Sequence, residues 1–514
     1  MKIVIVGGGA TGWIAANFFS RVQKEIHDVI IVDSSKLPII GVGEATSGRL
    51  YDLLNNRYFP IETSVQEFLK KTDSVKRYGV LFKNWNKSNT DFIKPFDIPR
   101  SINVEGNTFN ESFDTLIYAY EKYGPSKVHT SSFMGLAIEH GVDVDMHGFQ
   151  SDAKDMANFF KDLALNKKNV KHVDAIVSSL NLNDQGFIKE IILDDGSLVT
   201  GDLFIDCSGF KRILANKMDM GWISYKKYLP VNSVITFRTE LEKKPSTLTK
   251  VTAMSNGWMF NLETKKRIGN GYIYDNNYIS EEEAKKEVES LLDIKIETSK
   301  AISFEPGRLE KFWSKNCVAF GLSSFFIEPL SGSSIAYTIT QLAAFTQEFL
   351  KENFANTYSK KSEYRYNDLC IVGVESSLSV TSLAYKGKKD HNDFWKYMNT
   401  EESNTDFISE FLERSSVSIP GDISVRKNYV GDSRYNFFLL MLLGLEIVSK
   451  DHAKKELERR GTYNIARDKF ESFFESFHNT YYVNPEDIDM YDLQKNIPYG
   501  KLINNYKQRR NIWA

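Results

Sequence analysis

Residues 2–6, KIVIV, are almost continuously apolar. A strand covered on both faces reads this way, so Lys2–Val6 is expected as a parallel strand inside a buried sheet. Three glycines follow, and from Gly12 to Ile26 apolar positions recur at helical spacing. Val29–Val32 is a second apolar strand that ends at Asp33, which completes a β-α-β unit. Farther along, Asp174–Leu182 and Gly186–Leu193 read as paired strands, and Asp195-Gly196 supplies a tight turn into Ser197–Ile205. A small antiparallel meander is expected there. Thr249–Tyr274 forms a second strand-rich stretch, after which Ser280-Glu-Glu-Glu283 has the form of a capping box and starts an amphipathic helix. Beyond about Ser334 the alternation stops: Ile335–Phe354, Asn392–Arg414, Tyr435–Ser449 and His452–Tyr482 all predict helices. The expected fold class is therefore α/β, with a mixed core over residues 1–340 and a mainly helical subdomain over 341–514.

Composition narrows the class of partner. The 514 residues are 42 % hydrophobic and 26 % charged, enough for a large core with an attached subdomain. Lys and Arg number 65 against 67 Asp and Glu, a formal charge of -2 that offers no electrostatic attraction to nucleic acid or an anionic membrane. The local basic clusters Lys386–Lys389 and Lys507–Arg510 are expected as solvated faces. Three scattered cysteines make neither a disulfide framework nor a metal site, which points to a reducing, cytoplasmic setting. No secretory signal is visible before the first strand. The longest apolar run, Phe437–Val448, carries Glu446 and falls short of the ~20 residues that span a bilayer.

Candidate chemistry starts at the first turn. Gly7-x-Gly9-x-x-Gly12, with Ala10 and Thr11 inside it, lies between a strand and a helix, where glycines let the backbone approach a pyrophosphate at a helix N-terminus. Asp33, at the end of the next strand, is placed to accept from a ribose hydroxyl. The loop alone does not separate NAD from FAD. The apolar strand Leu203–Asp206 followed by Cys207-Ser208-Gly209 resembles the arrangement of flavin monooxygenase-type folds, in which the Asp and nearby backbone hold the ribityl and pyrophosphate groups. A single glycine fingerprint, without a second for NAD(P)H, favours an external reductase that delivers reduced flavin.

With these segments in view, the chain resembles the flavin-dependent halogenases of the tryptophan-halogenase-like branch, nearly end to end. The resemblance is carried by the GGGATGW loop, Gly41-Val-Gly-Glu-Ala-Thr46, Asp206-Cys-Ser-Gly-Phe210, Asn256-Gly-Trp258, Gly269–Tyr274, and Asn316–Ser324 running into Phe326-Ile-Glu-Pro-Leu330. It implies a Rossmann-type FAD-binding fold with an antiparallel substrate-side sheet. It also implies an activity: FADH2 and O2 give a flavin hydroperoxide, a bound halide (chloride, bromide or iodide) attacks it, and hypohalous acid travels to an electron-rich aromatic substrate beside a lysine. FAD contacts are implied for Gly43, Glu44 and Ala45, for Asp206, and for Gly321 and Ile335, beside the phosphate loop and Asp33. Gly332-Ser333-Ser334 precedes a helix, so Ser333 and Ser334 stand where free amides would hold a halide, or where they simply cap that helix.

Three departures from the family pattern bear on chemistry. Counting back from Phe82-Lys-Asn-Trp85, the ungapped lysine position falls on Arg77, and Lys76 reaches the same space only through a bulge; Lys76 is the favoured assignment and Arg77 the alternative. In Gly257–Glu263 the family's Trp-x-Trp-x-Ile-Pro becomes Trp-x-Phe-x-Leu-Glu, so Trp258 and Phe260 are expected to wall flavin from substrate. Ser331 follows the EPL segment where tryptophan halogenases carry a Glu, which shifts expectation from free tryptophan to phenols, pyrroles or other indoles. Homo-oligomerisation stays open. A flavin hydroxylase and a non-catalytic flavin-binding redox sensor are the competing readings.

Overall fold

The computed structural model describes residues 1–22, 28–37, 43–55, 61–96, 102–104, 107–109, 113–144, 147–241, 244–297, 300–332, 334–351, 358–387, 392–419 and 435–481. The chain divides into two compact units: Met1–Arg77 with Met146–Thr381 and Asn392–Ser403, and Tyr78–Asp145 with Ser382–His391 and Asn404–Ala514. This division does not fall at the expected boundary near residue 340. The helices Ser334–Lys351 and Lys360–Ala384 belong mostly to the first unit, and 78–145 belongs to the second.

Along the first unit run β1 (Lys2–Val6), α1 (Ala10–Val22), β2 (Asp28–Asp33), β3 (Glu44–Ala45), β4 (Val75–Arg77), β5 (Gly148–Ser151), β6 (Val170–Asp174), β7 (Leu203–Asp206), β8 (Ser233–Glu240), β9 (Leu248–Met254), β10 (Gly257–Glu263), β11 (Arg267–Tyr274), β12 (Cys317–Ala319) and α2 (Ser334–Lys351). The central sheet has the order β6-β2-β1-β7-β12, all parallel, with Trp313–Ser314 antiparallel at its edge. Its continuous apolar strands are what a sheet covered on both faces requires. On one face α1 buries Trp13, Ile14, Ala15, Phe18 and Phe19, and Asn17 Nδ2 donates 2.6 Å to Phe160 O on helix Ala153–Leu165.

The meander expected over 174–205 is only partly that. Val177–Leu182, Ile188–Leu193 and Leu198–Thr200 form the antiparallel trio, but Val170–Asp174 and Leu203–Asp206 leave it to join the parallel sheet. β7 is buried along its whole length and takes a central place beside β1, whereas Val170–Asp174, with Lys171 and Asp174 exposed, takes the edge beside β2. A second sheet runs Lys300–Ser303, β8, β11, β10, β9, antiparallel throughout, and a three-stranded ladder has the order β3-β5-β4. The capping box is present, Ser280 Oγ accepting from Glu283 N and Glu283 Oε2 from Ser280 N.

In the second unit the hairpin Gly79–Lys83/Phe92–Pro95 stacks Phe82 on Phe92 at 4.8 Å, and helices Phe113–Tyr123, Tyr435–Gly444, Lys450–Arg459 and Tyr463–Tyr481 share an apolar core. Tyr120 ties two of these segments by donating 2.6 Å to Val448 O. Lys386 corrects an expectation: it is 5 % exposed rather than solvated, and burial pushes its ammonium down to about 7. The neighbouring Gly387 admits no side chain, since a Cβ would lie 2.0 Å from Trp85 O. Lys388, Lys389 and Lys507–Arg510 lie outside the described residues. Among the described residues no helix is long and apolar enough to cross a membrane.

Candidate active site

The phosphate loop is built by close approach. Gly7, at φ +114°, donates from N to Val32 O at 2.8 Å, and a Cβ there would lie 2.2 Å from Cys207 O. Gly12 packs on Gly7 in the same way, its Cβ position 1.9 Å from Gly7 O. Gly9 differs: a Cβ there meets nothing within 4 Å. Two glycines therefore lock strand to helix, and the third leaves an open face at the start of α1, where the backbone amides and helix dipole favour an anion. Ala10 and Thr11 form the first residues of α1, and Thr11 lies against Gly321, whose Cβ would stand 2.5 Å from Thr11 Oγ1. Ser323 Oγ donates 3.2 Å to Gly209 O, so the 321–323 turn, the 207–209 turn and the loop meet on one side of the parallel sheet.

These features fit the pyrophosphate of a dinucleotide such as FAD. A consequence separates the glycines. Gly7→Ala is expected to destabilise the flavin-free protein by about 1–3 kcal/mol, through strain at its backbone angle. Gly9→Ala should leave the flavin-free melt unchanged and weaken FAD binding, read by titration of flavin fluorescence. Equal melting of both variants would contradict this division.

The two acidic residues behave differently from expectation. Asp33 ends β2 half-buried, and His172 Nε2 on β6 is hydrogen-bonded to its Oδ1, so one carboxylate oxygen is already engaged within the protein. Asp206 faces its own chain. It is fully buried, with Oδ1 accepting from Ser208 N (2.9 Å) and Ser208 Oγ (2.6 Å), and Oδ2 from Leu214 N (2.8 Å) and Ala215 N (2.9 Å). Its carboxylate is spent on the following turn and helix, and what it offers a cofactor is the backbone it shapes.

A second centre forms where four segments converge. On β10, Trp258, Phe260 and Leu262 share one face by strand alternation. Trp258 is fully buried, its Nε1 donating 3.4 Å to Glu328 Oε2 of the EPL segment. Phe260 packs over Gly271, and Leu262 reaches Gly43. Glu263, on the opposite face, pairs with Lys250 at 2.8 Å and takes no part in this wall. Glu44, paired with Ser151, is half-buried, and burial raises its carboxyl to about 7. Since the folded value lies above the ordinary 4.5 of a glutamate carboxyl, its contribution to stability is full below about pH 4.5 and is lost as pH rises through about 7. Thermal melts across that range should show the decline, and Glu44→Gln should flatten it.

No register shift interrupts β4 where it pairs with β5. The β4–β5 ladder is continuous, Val75 opposite Gln150, Lys76 opposite Phe149, Arg77 opposite Gly148. Lys76 therefore shares the Phe149 face, and Arg77 points the other way. Arg77 is 0 % exposed; its Nη1 donates 3.0 Å to Thr46 O and its Nε 2.6 Å to Thr249 Oγ1. Desolvation pulls the guanidinium down to about 9, still cationic at neutral pH. Gly332, at φ +59°, stands over it: a Cβ there would be 2.7 Å from Arg77 Nη1 and 2.5 Å from Ala45 O. Gly332 follows the single 3-10 turn Pro329–Ser331 and precedes α2, in which Ser334 is the first residue and Ile335 is buried. Ser333 lies outside the described residues.

The structure thus brings Arg77 together with Thr46, Thr249 and Gly332, and Trp258 together with Glu328, while Lys76 leaves β4 by the opposite face. Thr46, Thr249, Glu328 and His172 were missed as site residues. Thr46 and Glu328 sit inside motifs already singled out, but Thr249 and His172 carry no local signal.

The family model described as tryptophan halogenase matches residues 2–454. The tryptophan 6-halogenase SttH of Streptomyces toxytricini is 25 % identical over 473 residues, covering 86 % of this chain and 88 % of its own. The 7-chloro-L-tryptophan 6-halogenase KtzR of Kutzneria sp. is 25 % identical over 494 residues, covering 89 % and 93 %. Among solved structures, a tryptophan halogenase from Shewanella frigidimarina aligns with a TM-score of 0.77 at 20 % identity, covering 92 % of this chain and 95 % of its own. BrvH, a flavin-dependent halogenase from Brevundimonas sp., aligns at 0.73 and 23 %, covering 92 % and 99 %.

Proposed function

This chain belongs to the tryptophan halogenase family, and from that premise we propose that Arg77 is the group that meets the oxidised halogen and that the acceptor is an electron-rich aromatic other than free tryptophan. The enzyme is a flavin-dependent halogenase that uses FADH2, O2 and halide, fed by a separate flavin reductase. Reduced FAD, when bound, would pass two electrons to O2 and bring it to the peroxide level, the oxidant that takes halide to hypohalous acid with water as the other product. The remaining roles fall to the chain's own residues. The open face at Gly9 and the N-terminus of α1 receive the pyrophosphate, with Asp33 held toward the ribose by His172. Trp258, braced by Glu328, and Phe260 form an apolar wall that excludes water. The turn at Gly332 and the amides that open α2 hold the halide.

The single observation that carries the Arg77 role is its buried guanidinium against Gly332. A guanidinium donates hydrogen bonds but is a poor nucleophile, so it polarises hypohalous acid without forming a nitrogen–halogen bond. In the transfer a carbon–halogen bond forms, the halogen–oxygen and carbon–hydrogen bonds break, and the released proton leaves with hydroxide as water. Ser331 in place of a Glu gives little carboxylate stabilisation to a developing indole charge, which supports phenols, pyrroles or substituted indoles. A cytoplasmic setting is supported by three buried, unbridged cysteines.

The test supplies FAD, a flavin reductase, NADH, O2 and each halide with a panel of phenols, pyrroles, indoles and tryptophan, and reads product masses. Halogenated phenol, pyrrole or indole exceeding halotryptophan is the expected result. Preferred turnover of tryptophan would overturn the substrate proposal, and a hydroxylated product without halide would assign the chain to the hydroxylases.

A further inference from the structure

A buried arginine is aimed by whatever accepts from it. Arg77 donates from two nitrogens, Nε to Thr249 Oγ1 and Nη1 to Thr46 O. One such bond lets the planar group swivel, and two from different nitrogens fix its plane. The Thr46 acceptor is backbone on the strand segment that continues β3, so no side chain choice is made there. Thr249 is a choice. Its hydroxyl has a single proton, which goes to Gln150 Oε1 at 3.0 Å, and this leaves its lone pairs turned to Arg77. Gln150 is oriented in turn by donating Nε2 to Ser246 O at 2.7 Å. Both Thr249 and Gln150 are buried, so water does not compete for these groups.

Building on the reading of Arg77, we propose that Thr249, oriented by Gln150, is a positioning residue that sets how the Arg77 guanidinium faces the Gly332 turn, and thereby the share of hypohalous acid delivered to the aromatic substrate instead of lost to solvent. The relay joins β4 and β5 of the three-stranded ladder to β9 of the second sheet. A misplacement of about 1 Å at such a group costs on the order of 10²-fold in rate.

The test uses the FAD-loaded enzyme with reductase, NADH, O2, bromide and a turned-over phenol or indole, with monochlorodimedone trapping hypobromous acid in parallel. Thr249→Val, close in size but without the hydroxyl, is expected to cut product about 10²-fold while trapped oxidant rises. Thr249→Ser should restore most of the coupling, and Gln150→Met should move the ratio in the same direction as Thr249→Val. If Thr249→Val keeps the product-to-trap ratio, or Thr249→Ser is as impaired as Thr249→Val, positioning is refuted. Should Thr249→Val fail to fold, Gln150→Met decides by the same ratio. Arg77→Ala separates the premise: product formation that survives its loss removes the role of Arg77 itself, whereas an inactive Arg77→Ala beside a fully coupled Thr249→Val removes only the relay.

Discussion

Arg77→Ala is expected to lower halogenated product by about 10²–10³-fold, the range seen when a preorganised donor is removed from a buried site, while Lys76→Ala leaves turnover close to wild type. The ladder that pairs Lys76 with Phe149 and Arg77 with Gly148 has no register shift, so the two side chains leave β4 on opposite faces. Only the Arg77 face carries Thr46, Thr249 and Gly332. Because Arg77 is fully buried, its removal also leaves Thr46 O and Thr249 without their donor, and FAD binding and a thermal melt must accompany the assay. Arg77→Lys keeps the charge but loses the two-nitrogen geometry, so it should fall between wild type and Ala. Loss of product in Lys76→Ala with full activity in Arg77→Ala would reverse the assignment.

Asp206→Ala should bring the largest loss of stability. Four donors converge on this carboxylate, two of them backbone amides of Leu214 and Ala215 that open the helix Ile213–Lys217. The Leu214 and Ala215 amides are buried, and left unpaired they cost about 1–3 kcal/mol each, so a loss of roughly 2–6 kcal/mol follows. That is a large share of the roughly 5–15 kcal/mol that holds a folded protein together. Asp206→Asn should also destabilise, because its amide nitrogen turns a donor toward other donors. Chemical denaturation of the flavin-free protein reads both. A wild-type midpoint for Asp206→Ala would mean the carboxylate faces a cofactor after all and leaves the turn unsupported.

The residues that were easiest to read are those whose role is local. The phosphate loop needs only a strand, a turn and a helix in succession, and Gly7, Gly12 and the capping box at Ser280 follow directly from backbone sterics and terminal amides. Harder were elements without a clean period. Helices Phe113–Tyr123 and Phe133–His140 bury consecutive residues, Thr115–Tyr120 and Met134–Ala137, so burial there does not follow a helical period. The expected helix Asn392–Arg414 is two, Asp393–Met398 and Asp406–Val417, each with its own side-chain cap at Asn392 and Thr405.

What the sequence by itself determined is the chemistry that adjacency in the chain can carry: a dinucleotide-type loop with its glycine fingerprint, and motif segments that assign the family. Tertiary structure decided everything that depends on which face a side chain leaves by. Whether Lys76 or Arg77 looks at Gly332 turns on the register of a three-residue strand with residues 148–150, some seventy positions away. Whether Asp206 meets a cofactor or its own following helix turns on competition among donors that only the fold assembles. The aim of Arg77 rests on Thr249 and Gln150, brought from two other strands. A one-residue step along a strand reverses the direction of a side chain, so such choices are invisible to spacing and are made by pairing.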